Sequence, residues 1–453
     1  MKRMLSHFAA AMAGTLIGSD APFTEVATDS RTLGAGALFV ALKGPRFDGH
    51  AFLAEVATRG AAGAVVAAAS EVSLPQIVVR DPLTALQAAA RAWREQFRMP
   101  LVGVAGSNGK TTTKELLAAI LGEGGPCLAT RGNLNNHIGV PVTLLGLEAR
   151  HHAAVIEMGA NRAGEVAALV AIARPTVGVV TNAGAEHLEG FGDLDGVAAA
   201  EGEIYAGLAP GAVAVINGDD VYSDTWRRMS RAARIVTFGL NPARDYHAAD
   251  IAGGTSDAFA QQFLLVTPAG KARVQLALAG RHNVMNALAA AAAAGAAGAT
   301  LAQMVAGLAR ARAVRGRLQL KSALGGARLI DDSYNANPSS LAAGLEVLAQ
   351  LPGEHWLVLG EMGELGGEAE TAHIAAGRSA RAAGVARLFA VGDLTRLSVE
   401  AFGSGAEWFA DTGALAAHVK PLLGAQVSML VKGSRSNRLE RVVEALTPGA
   451  DAA

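Results

Sequence analysis

Residues 101–115 read LVGVAGSNGKTTTKE, and this stretch decides the fold. The apolar run 101–105 predicts a buried strand, and the residues from Lys110 onward predict a helix. Between them lies a glycine-bracketed loop, Gly106-Ser107-Asn108-Gly109. Glycines let such a loop bend tightly, so that its N–H groups and the positive end of the helix face an anion. We therefore expect a phosphate-binding loop between a strand and a helix.

The residues after this loop specify the chemistry. Lys110 supplies a positive charge for β- and γ-phosphates, the Thr111 hydroxyl suits Mg²⁺, and Thr112 continues the first helical turn. Val104 stands where the GxxxxGK[ST] spacing has its first glycine, which leaves an ordinary strand–loop–helix turn as the alternative. We expect residues 106–112 to bind a nucleoside triphosphate.

Length and charge limit the class of protein. A chain of 453 residues is too long for one hydrophobic core and predicts about three domains. A formal net charge of −1 gives no basic field that would attract nucleic acid or an anionic membrane, so neither is an expected partner. The one cysteine, Cys127, excludes an intramolecular disulfide and suits a reducing compartment.

The N-terminus, MKRMLSHFAAAMAG, has the basic start and small apolar residues of a short signal peptide. Ser6, His7 and Gly14 interrupt the apolar run, so we interpret it as an amphipathic helix. No stretch reaches the roughly 18 apolar residues of a membrane span. We expect a cytoplasmic protein without stable membrane insertion.

Strand and helix patterns divide the chain into three predicted domains, 1–97, 98–313 and 314–453. The first combines short strands over 37–42 and 76–79 with a helix over 83–96. The second alternates strands and helices, as a doubly wound parallel sheet does, and the third repeats that pattern on a smaller scale. The predicted class is α/β, with a small α/β N-terminal domain, a central P-loop ATPase-like parallel sheet and a Rossmann-like C-terminal domain.

Polar residues follow two further strands of the central domain. Glu157 ends one strand, and Thr181-Asn182 ends another, whose following loop carries His187. The carboxyl ends of parallel strands meet at one edge of a sheet, and Mg²⁺ prefers oxygen ligands that it shares with phosphates. We expect Glu157 and His187 to act in catalysis and, with Thr111, to hold Mg²⁺; the alternative is that both are solvated surface residues.

Asparagines mark two other segments. The loop 130–141 contains Asn133, Asn135 and Asn136, whose amides bind substrate groups of either hydrogen-bond sense, although a plain surface loop is the alternative. Farther on, Asn283 suits an N-cap, and Asn286 lies on the same helix face one turn later. An amide there can pair with adenine, so we expect Asn286 to contact the nucleotide.

The motifs together resemble the ATP-dependent Mur ligases of peptidoglycan synthesis. The resemblance spans essentially the whole chain and rests on the motifs GSNGKTT, NLNNHIGVP, EMGA, TNAGAEHLEGFG, GRHNVMNALAA and RGRL. It is sharpest for the member that adds D-alanyl-D-alanine, on the motifs TDSR, GPRFDGH, DDSYNANPSS, VLGEMGELG and VKGSRS. The DNPR-type motif of the sister ligase that adds the third amino acid is not found.

The resemblance implies a reaction. ATP phosphorylates the terminal carboxylate of a UDP-N-acetylmuramoyl-tripeptide, and the amine of D-alanyl-D-alanine attacks the acyl phosphate to give the pentapeptide precursor, ADP and phosphate. Lys110 and bound Mg²⁺ would offset the clustered negative charge. We expect a monomer. The identity of the third tripeptide residue and the open or closed arrangement of the domains stay undecided.

The resemblance also assigns residues outside the central domain. The residues expected to bind the UDP end of the substrate are Ser30, Arg31, Lys43, Arg46, Asp48 and His50. For Arg31, the alternative is a turn closed by an ion pair with Asp29. In the C-terminal domain, Arg317 and Asp332 would touch phosphate and ribose, and Lys432 and Arg435 would approach the acyl phosphate or the dipeptide.

One position departs from the family. Mur ligases usually carry a carbamylated lysine near the second Mg²⁺, and here Glu201 occupies that position. Glutamate is already anionic but several atoms shorter, so it would act directly or through water; the alternative is a surface glutamate. His137, where many relatives have an acidic residue, is a milder departure.

Two other functions stay open. One is a different Mur-type ligase that adds diaminopimelate or lysine, and the other is a nucleotide-dependent binding protein that performs no ligation. Release of ADP only when both the tripeptide substrate and the dipeptide are present would separate the ligase from the binding protein.

Overall fold

The computed structural model describes residues 3–253 and 259–449, so Met1 and Lys2 at the basic N-terminus lie outside the described residues. Within those ranges the backbone forms three main sheets flanked by helices. This arrangement confirms the predicted α/β class. Among the described residues, no helix combines the length and apolar character that crossing a bilayer requires.

The first sheet has five strands in the described part of the chain, in the order β1-β7-β6-β3-β2. Strand β1 is antiparallel to β7, and the other neighbours are parallel. The elements of this sheet and its helices are α1 (Leu5–Ala11), β1 (Thr15–Ile17), β2 (Val26–Ala27), β3 (Leu38–Val40), α2 (Leu53–Thr58), β6 (Gly63–Val66), β7 (Gln76–Val78) and α3 (Pro82–Arg94). Strands β4 (Lys43–Gly44) and β5 (Phe47–Asp48) pair antiparallel as a separate hairpin.

The central sheet has nine described strands, in the order β16-β15-β14-β13-β12-β11-β8-β10-β9. Its elements are β8 (Leu101–Ala105), α4 (Lys110–Gly122), β9 (Cys127–Ala129), α5 (Gly139–Leu145), β10 (Ala153–Glu157), α6 (Glu165–Ala173), β11 (Val177–Val180), α7 (Leu188–Phe191), α8 (Leu194–Ala206), β12 (Val213–Asn217), α9 (Ser223–Met229), β13 (Arg234–Gly239), β14 (Tyr246–Gly253), β15 (Gln261–Thr267), β16 (Gly270–Leu276), α10 (Arg281–Ala296) and α11 (Leu301–Arg310).

The parallel part of this sheet ends at β14, because β14, β15 and β16 pair antiparallel. The alternation of strands and helices in the sequence did not indicate this antiparallel ribbon. Strand β15 alternates buried and more exposed residues, as a strand with one covered face does, whereas β8 and β10 are buried along their whole length. Strands covered on both faces lie in the interior of a sheet, and β8 lies between β11 and β10. The phosphate loop therefore follows an interior strand, at the carboxyl end of the sheet.

The third sheet has six described strands, in the order β17-β18-β22-β19-β20-β21, and only its edge strand β17 is antiparallel to its neighbour. Its elements are β17 (Gln319–Ser322), β18 (Arg328–Asp332), α12 (Pro338–Leu348), β19 (Glu354–Gly360), α13 (Ala369–Ala382), β20 (Arg387–Val391), α14 (Thr395–Phe402), β21 (Ala406–Phe409), α15 (Thr412–Val419), β22 (Val427–Lys432) and α16 (Glu440–Leu446).

We call each main sheet with its helices a unit: the first, the central and the C-terminal unit. The first and central units share one hydrophobic core. Helix α3 packs on α5 and α6, and the indole N–H of Trp93 donates to the carbonyl of Leu147 at 3.1 Å. The buried guanidinium of Arg94 donates to the carbonyl of Ala173 at 3.2 Å. These contacts fix the first unit against the central one.

Cys127 lies in the edge strand β9 and is a free, partly buried thiol. Burial raises the pKa of this thiol to about 12. The group therefore stays protonated at neutral pH and behaves as a small apolar side chain.

Close helix packing holds α4 against the sheet. The alanine-rich α10, buried from Ala287 to Ala294, lies along one side of α4, and α11 lies along another. A Cβ at Gly307 of α11 would come within 2.6 Å of the backbone nitrogen of Ile120 in α4. The two backbones therefore touch where Gly307 lacks a side chain.

We expect Gly307→Ala to lower the melting temperature, because the added methyl group must push α11 away from α4 and overpacking costs about 1–3 kcal/mol. Gly122→Ala is the matched control, since a Cβ there meets nothing within 4 Å and alanine favours a helix. Differential scanning calorimetry of both variants checks the prediction. Equal melting temperatures for Gly307→Ala and the parent would contradict the close contact.

Candidate active site

A cleft with a volume of about 1060 Å³ lies between the central and C-terminal units, at the carboxyl ends of the central strands. Its walls come from the phosphate loop, the asparagine loop, parts of the segments 157–169 and 181–187, the start of α10 and four segments of the C-terminal unit. Of the predicted site residues, those that line it are Ser107, Asn108, Gly109, Lys110, Thr111, Thr112, Asn133, Asn135, Asn136, Glu157, His187, Asn286, Arg317, Asp332, Lys432 and Arg435.

The phosphate loop has the backbone that the glycines predict. Gly106 and Gly109 have φ values of 119° and 82°, in the left-handed region that favours glycine. A Cβ at Gly106 would collide with the Thr181 hydroxyl, and one at Gly109 with the Asn286 side chain. Helix α4 begins directly after Gly109 with no side-chain cap, so its first N–H groups are available to an anion.

Lys110 lies within a group of carboxylates. Its ammonium donates to the carbonyls of Gly106 and Ser107 and lies 3.1 Å from Oε1 of Glu186. Burial alone would lower the pKa of Lys110, but the carboxylates of Glu186, Glu201 and Glu157 outweigh burial and raise it. Lys110 is therefore charged in this structure and folded back on its own loop.

Glu201 lies beneath the loop. Its Oε2 accepts a hydrogen bond of 2.6 Å from the Gly106 N–H, and the residue is 1% exposed. Burial raises the pKa of Glu201 to about 7, while nearby Lys110 acts in the opposite direction. The alternative of a surface glutamate is therefore wrong; a role for Glu201 at a metal stays a prediction.

Glu157 offers an oxygen that suits a metal ion. Its Oε1 accepts from Asn135 Nδ2 at 2.9 Å and from the Thr111 hydroxyl at 3.3 Å. Its Oε2 is buried and has no hydrogen-bond partner among the described residues. An anionic oxygen without a donor, beside a hydroxyl and a phosphate loop, fits a hard cation such as Mg²⁺.

Of the other predicted metal ligands, Thr111 contacts Glu157, whereas Glu201 bonds the Gly106 N–H and His187 pairs with the C-terminal unit. Among the described residues, no group of three His, Cys, Asp or Glu side chains is arranged to hold a metal. His187, with φ of 49°, places Nδ1 2.6 Å from Oε2 of Glu364 in the C-terminal unit. His187 thus connects two units in this structure, and its role as a metal ligand stays a prediction.

The asparagine loop is fixed from below. Buried Lys114 of α4 donates to the carbonyl of Thr130 at 2.9 Å, and the Thr130 hydroxyl accepts from the Glu157 N–H at 3.0 Å. Asn136 accepts from the N–H groups of Ile138 and Gly139, at 3.1 and 2.9 Å, and so starts α5. Asn135 positions Glu157, and Asn133 is exposed at the cleft.

Asn283 does not have the predicted position. Gly280, not Asn283, is the N-cap residue of α10, and Asn283 lies inside the first turn, where its Nδ2 donates to the Ala279 carbonyl at 2.7 Å. Asn286 donates to Asn283 Oδ1 at 3.0 Å and packs against Gly109. The two asparagines support the rear of the phosphate loop, and a contact of Asn286 with adenine stays a prediction.

Two predicted residues of the C-terminal unit pair with each other. Lys432 is 2% exposed, and its ammonium lies 2.5 Å from Oδ2 of Asp332 and 3.0 Å from the carbonyl of Asn335. Asp332 Oδ1 also accepts from the Leu318 N–H at 3.1 Å. The pair fixes the ends of β18 and β22 at the cleft. Burial lowers the pKa of the neighbouring His282 in α10 to about 4, and Asp332 and Lys432 act on it in opposite directions.

Arg317 and Arg435 flank one aromatic ring. Their guanidinium carbons lie 4.2 Å and 5.2 Å from the centroid of the Tyr334 ring. Stacking of this kind holds the planar guanidinium groups while leaving their N–H donors available to carboxylate or phosphate.

The predicted UDP residues lie outside this cleft. Arg31 forms a two-bond pair with Asp29, at 2.9 and 2.7 Å, and the pKa of Asp29 falls to about 2 chiefly because of the Arg31 side chain. Ser30 is 7% exposed. The ion pair that the sequence analysis gave as an alternative is therefore present, which leaves nucleotide recognition by Arg31 as a prediction.

The hairpin of β4 and β5 carries the remaining UDP candidates. His50 Nδ1 lies 2.6 Å from Oδ1 of Asp48, and His50 Nε2 accepts from the Ala67 N–H at 2.9 Å. Lys43 lies 3.8 Å from Asp48, and Arg46 is exposed between the two strands. Asp48 and His50 thus hold the hairpin, and Lys43 and Arg46 project from it.

Sequence reasoning missed several residues of the cleft. Glu186 precedes His187 and was overlooked beside it, although a carboxylate in that loop is as informative as an imidazole. Glu364 lies in the motif VLGEMGELG, and Asn337 and Ser339 lie in DDSYNANPSS. Both motifs support the family resemblance, but no role was predicted for these three residues. Lys114 gave no signal, because a buried lysine on a helix cannot be distinguished by spacing from a solvated one.

Most of the chain matches the models of one known family. Residues 22–96 match the description "Mur ligase family, catalytic domain", residues 104–294 match "Mur ligase middle domain", and residues 316–435 match "Mur ligase, glutamate ligase domain". Of the strands described above, only β1 lies wholly outside these three segments.

Individual relatives agree along the full length. The UDP-N-acetylmuramoyl-tripeptide–D-alanyl-D-alanine ligase of Escherichia coli is 44% identical over 448 residues, 98% of each chain, and that of Bacillus subtilis is 34% identical, again over 98% of each. The crystal structure of MurF from Acinetobacter baumannii has a TM-score of 0.89 at 35% identity over 97% of each chain. MurF from Thermotoga maritima, solved with ADP, has a TM-score of 0.82 at 27% identity over 93% of this chain and 96% of its own.

We expect Glu157→Gln to weaken divalent-cation binding about tenfold or more, because it removes the charge of the buried unpaired oxygen. Glu201→Gln keeps an oxygen that accepts from the Gly106 N–H. If Glu201 acts near the metal, this variant should weaken divalent-cation binding by a smaller factor than Glu157→Gln does. Mn²⁺ titration by electron paramagnetic resonance, with ADP present, measures both. Glu346→Gln on the exposed face of α12 is the control, and unchanged Mn²⁺ affinity in Glu157→Gln would exclude this metal site.

Proposed function

The chain belongs to the Mur ligase family, and from this premise we propose that it joins D-alanyl-D-alanine to UDP-N-acetylmuramoyl-tripeptide at the expense of ATP. The products are the pentapeptide precursor of peptidoglycan, ADP and phosphate. The observation that carries the proposal is the cleft itself, which brings a phosphate loop, a buried unpaired carboxylate oxygen and the cations of a second unit to one place.

The phosphate loop performs the first half of the reaction. A carboxylate is a poor acylating agent, so the γ-phosphoryl group of ATP is transferred to it and later leaves as phosphate. The N–H groups at the start of α4 and the ammonium of Lys110 face the phosphates and offset the charge that develops during the transfer. Lys110 reaches them by exchanging the carbonyls of Gly106 and Ser107 for phosphate oxygens.

Mg²⁺ is part of this proposal. Glu157 and Thr111 would hold it, His187 and Glu201 are further candidates, and a bound Mg²⁺ neutralises phosphate charge. Asn135 supports this arrangement because its amide already fixes the orientation of the Glu157 carboxylate.

The C-terminal unit performs the second half. The amine of D-alanyl-D-alanine attacks the acyl phosphate, and a tetrahedral intermediate collapses to the amide with loss of phosphate. Arg317 and Arg435, oriented by Tyr334, present donors to the anionic groups of the reactants. The ammonium of Lys432 pairs with the carboxylate of Asp332, so the pair adds no net charge to the cleft. The pair holds the Lys432 ammonium in a fixed position at the cleft.

The first unit binds the UDP end of the substrate in this proposal. The hairpin of β4 and β5 and the turn at Arg31 offer a guanidinium, an ammonium and backbone N–H groups to a pyrophosphate. Helix α3 and its shared core hold this unit against the central one, so the muramoyl peptide can extend from the hairpin toward the cleft.

We expect Lys110→Ala to lower kcat about 10²-fold or more, as loss of a preorganised electrostatic group does. ADP release, followed by a coupled assay, should require both UDP-N-acetylmuramoyl-tripeptide and D-alanyl-D-alanine in the parent enzyme. Lys271→Ala, in the exposed β16, is the matched control and should keep the parent rate. Near-normal turnover of Lys110→Ala would refute the ATP-site assignment, and ADP release without the dipeptide would refute ligation.

We expect Arg31→Ala to raise the KM for UDP-N-acetylmuramoyl-tripeptide several-fold and to leave the KM for ATP almost unchanged, because Arg31 lies outside the nucleotide cleft. Steady-state kinetics with each substrate varied in turn gives both constants. Arg80→Ala, another exposed arginine of the first unit, serves as control. An equal rise in both constants, or no rise, would reject the UDP assignment.

A further inference from the structure

A closed ring of three hydrogen bonds connects the phosphate loop to the C-terminal unit. Asn108 Nδ2 donates to Ser339 Oγ at 3.0 Å, Ser339 Oγ donates to Asn337 Oδ1 at 3.0 Å, and Asn337 Nδ2 donates to Asn108 Oδ1 at 2.9 Å. We call these three residues the interdomain ring. Asn108 belongs to the central unit, and the other two belong to the start of α12.

The ring is anchored on the side of the central unit. The Asn108 N–H donates to Asn182 Oδ1 at 3.0 Å. The Asn108 carbonyl accepts from the Thr181 hydroxyl at 2.6 Å and from Asn182 Nδ2 at 2.9 Å. The backbone of Asn108 is therefore fixed by the end of β11, and its side chain is fixed by another unit.

The ring is equally anchored on the other side. Asn337 is the N-cap residue of α12, and its Oδ1 also accepts from the Ser340 N–H at 2.8 Å. Capping uses only this oxygen, whereas the Asn337 amide nitrogen is directed across the boundary to Asn108. The donor side of Asn337 thus has no function within its own helix.

We infer that Asn337 and Ser339 are positioning residues for the phosphate loop. By holding the Asn108 side chain, they fix the loop so that the N–H groups from Gly109 onward face the nucleotide. Docking of the C-terminal unit and nucleotide binding then favour each other, because linkage between two equilibria is reciprocal. The inference rests on the proposed binding of ATP at this loop, and it assigns part of the nucleotide affinity to residues of the opposite unit.

The variant Asn337→Asp separates capping from positioning. Aspartate caps a helix as well as asparagine does, but it places an acceptor against Asn108 Oδ1 where a donor stood. Ser339→Ala removes the middle bond of the ring, and Ser339→Thr restores the hydroxyl. Ser340→Ala is the control, since its hydroxyl bonds the Asn337 backbone and does not contact Asn108.

Isothermal titration with ADP measures the effect without any ligase substrate. We expect Asn337→Asp and Ser339→Ala to raise the Kd for ADP about tenfold, within the usual range of coupling between sites, and Ser339→Thr to recover most of the affinity. Small-angle scattering with ADP should show a larger radius of gyration for Asn337→Asp than for the parent. In kinetics, the KM for ATP should rise more than kcat falls.

Two results would overturn the inference. The first is an unchanged Kd for ADP in both Asn337→Asp and Ser339→Ala. The second is a loss of ADP affinity in Ser340→Ala as large as that in Ser339→Ala, because the effect would then come from the stability of α12. Failure of the proposed ligase reaction would be seen separately, as absence of dipeptide-dependent ADP release in the parent enzyme.

Discussion

The site depends on the balance of charge around one ammonium group. Lys110 lies among the carboxylates of Glu157, Glu186 and Glu201, which are 3%, 7% and 1% exposed. Three buried carboxyl groups surround one buried ammonium, and any excess of negative charge must be offset by a proton, a metal or a dipole. The raised pKa of Glu201 favours a proton on that carboxyl group, and the unpaired oxygen of Glu157 suits a metal ion. The N-terminus of α4 supplies the positive end of a helix dipole.

Sheet topology explains why these groups meet. Strands β8, β10 and β11 are parallel neighbours, so the phosphate loop, Glu157 and the segment with Glu186 and His187 all begin at the same edge. The C-terminal unit covers this edge with a sheet of similar design, whose strand ends carry Asp332 and Lys432. Two sheets thus face each other with their carboxyl ends, and the cleft lies between them.

The sequence predicted the strands and loops of the central edge well, because buried parallel strands are continuous apolar runs and glycines mark the turns between them. It did not predict the ribbon of β14–β16, since an antiparallel strand with one exposed face has no comparably long apolar run. The pairing of charged side chains could not be predicted from the sequence either. Asp332 and Lys432 are 100 residues apart and meet because β18 and β22 are neighbours in one sheet. His187 and Glu364 are 177 residues apart and meet where two units pack together. No local sequence pattern indicates either pair. Asn283 was assigned to the wrong helix position because the sequence gives no sign that Gly280 ends the preceding loop.

The buried state of Cys127 has a practical consequence for measuring distances between the three units. Burial raises the pKa of the Cys127 thiol to about 12, so little thiolate forms near neutral pH, and thiol-directed probes react with the thiolate. Cysteines engineered at exposed positions of the outer units would ionise far more readily. Spin labels or fluorophores could therefore be attached to those positions in the otherwise native chain, and distances between the units could be read during a catalytic cycle without first replacing the natural cysteine.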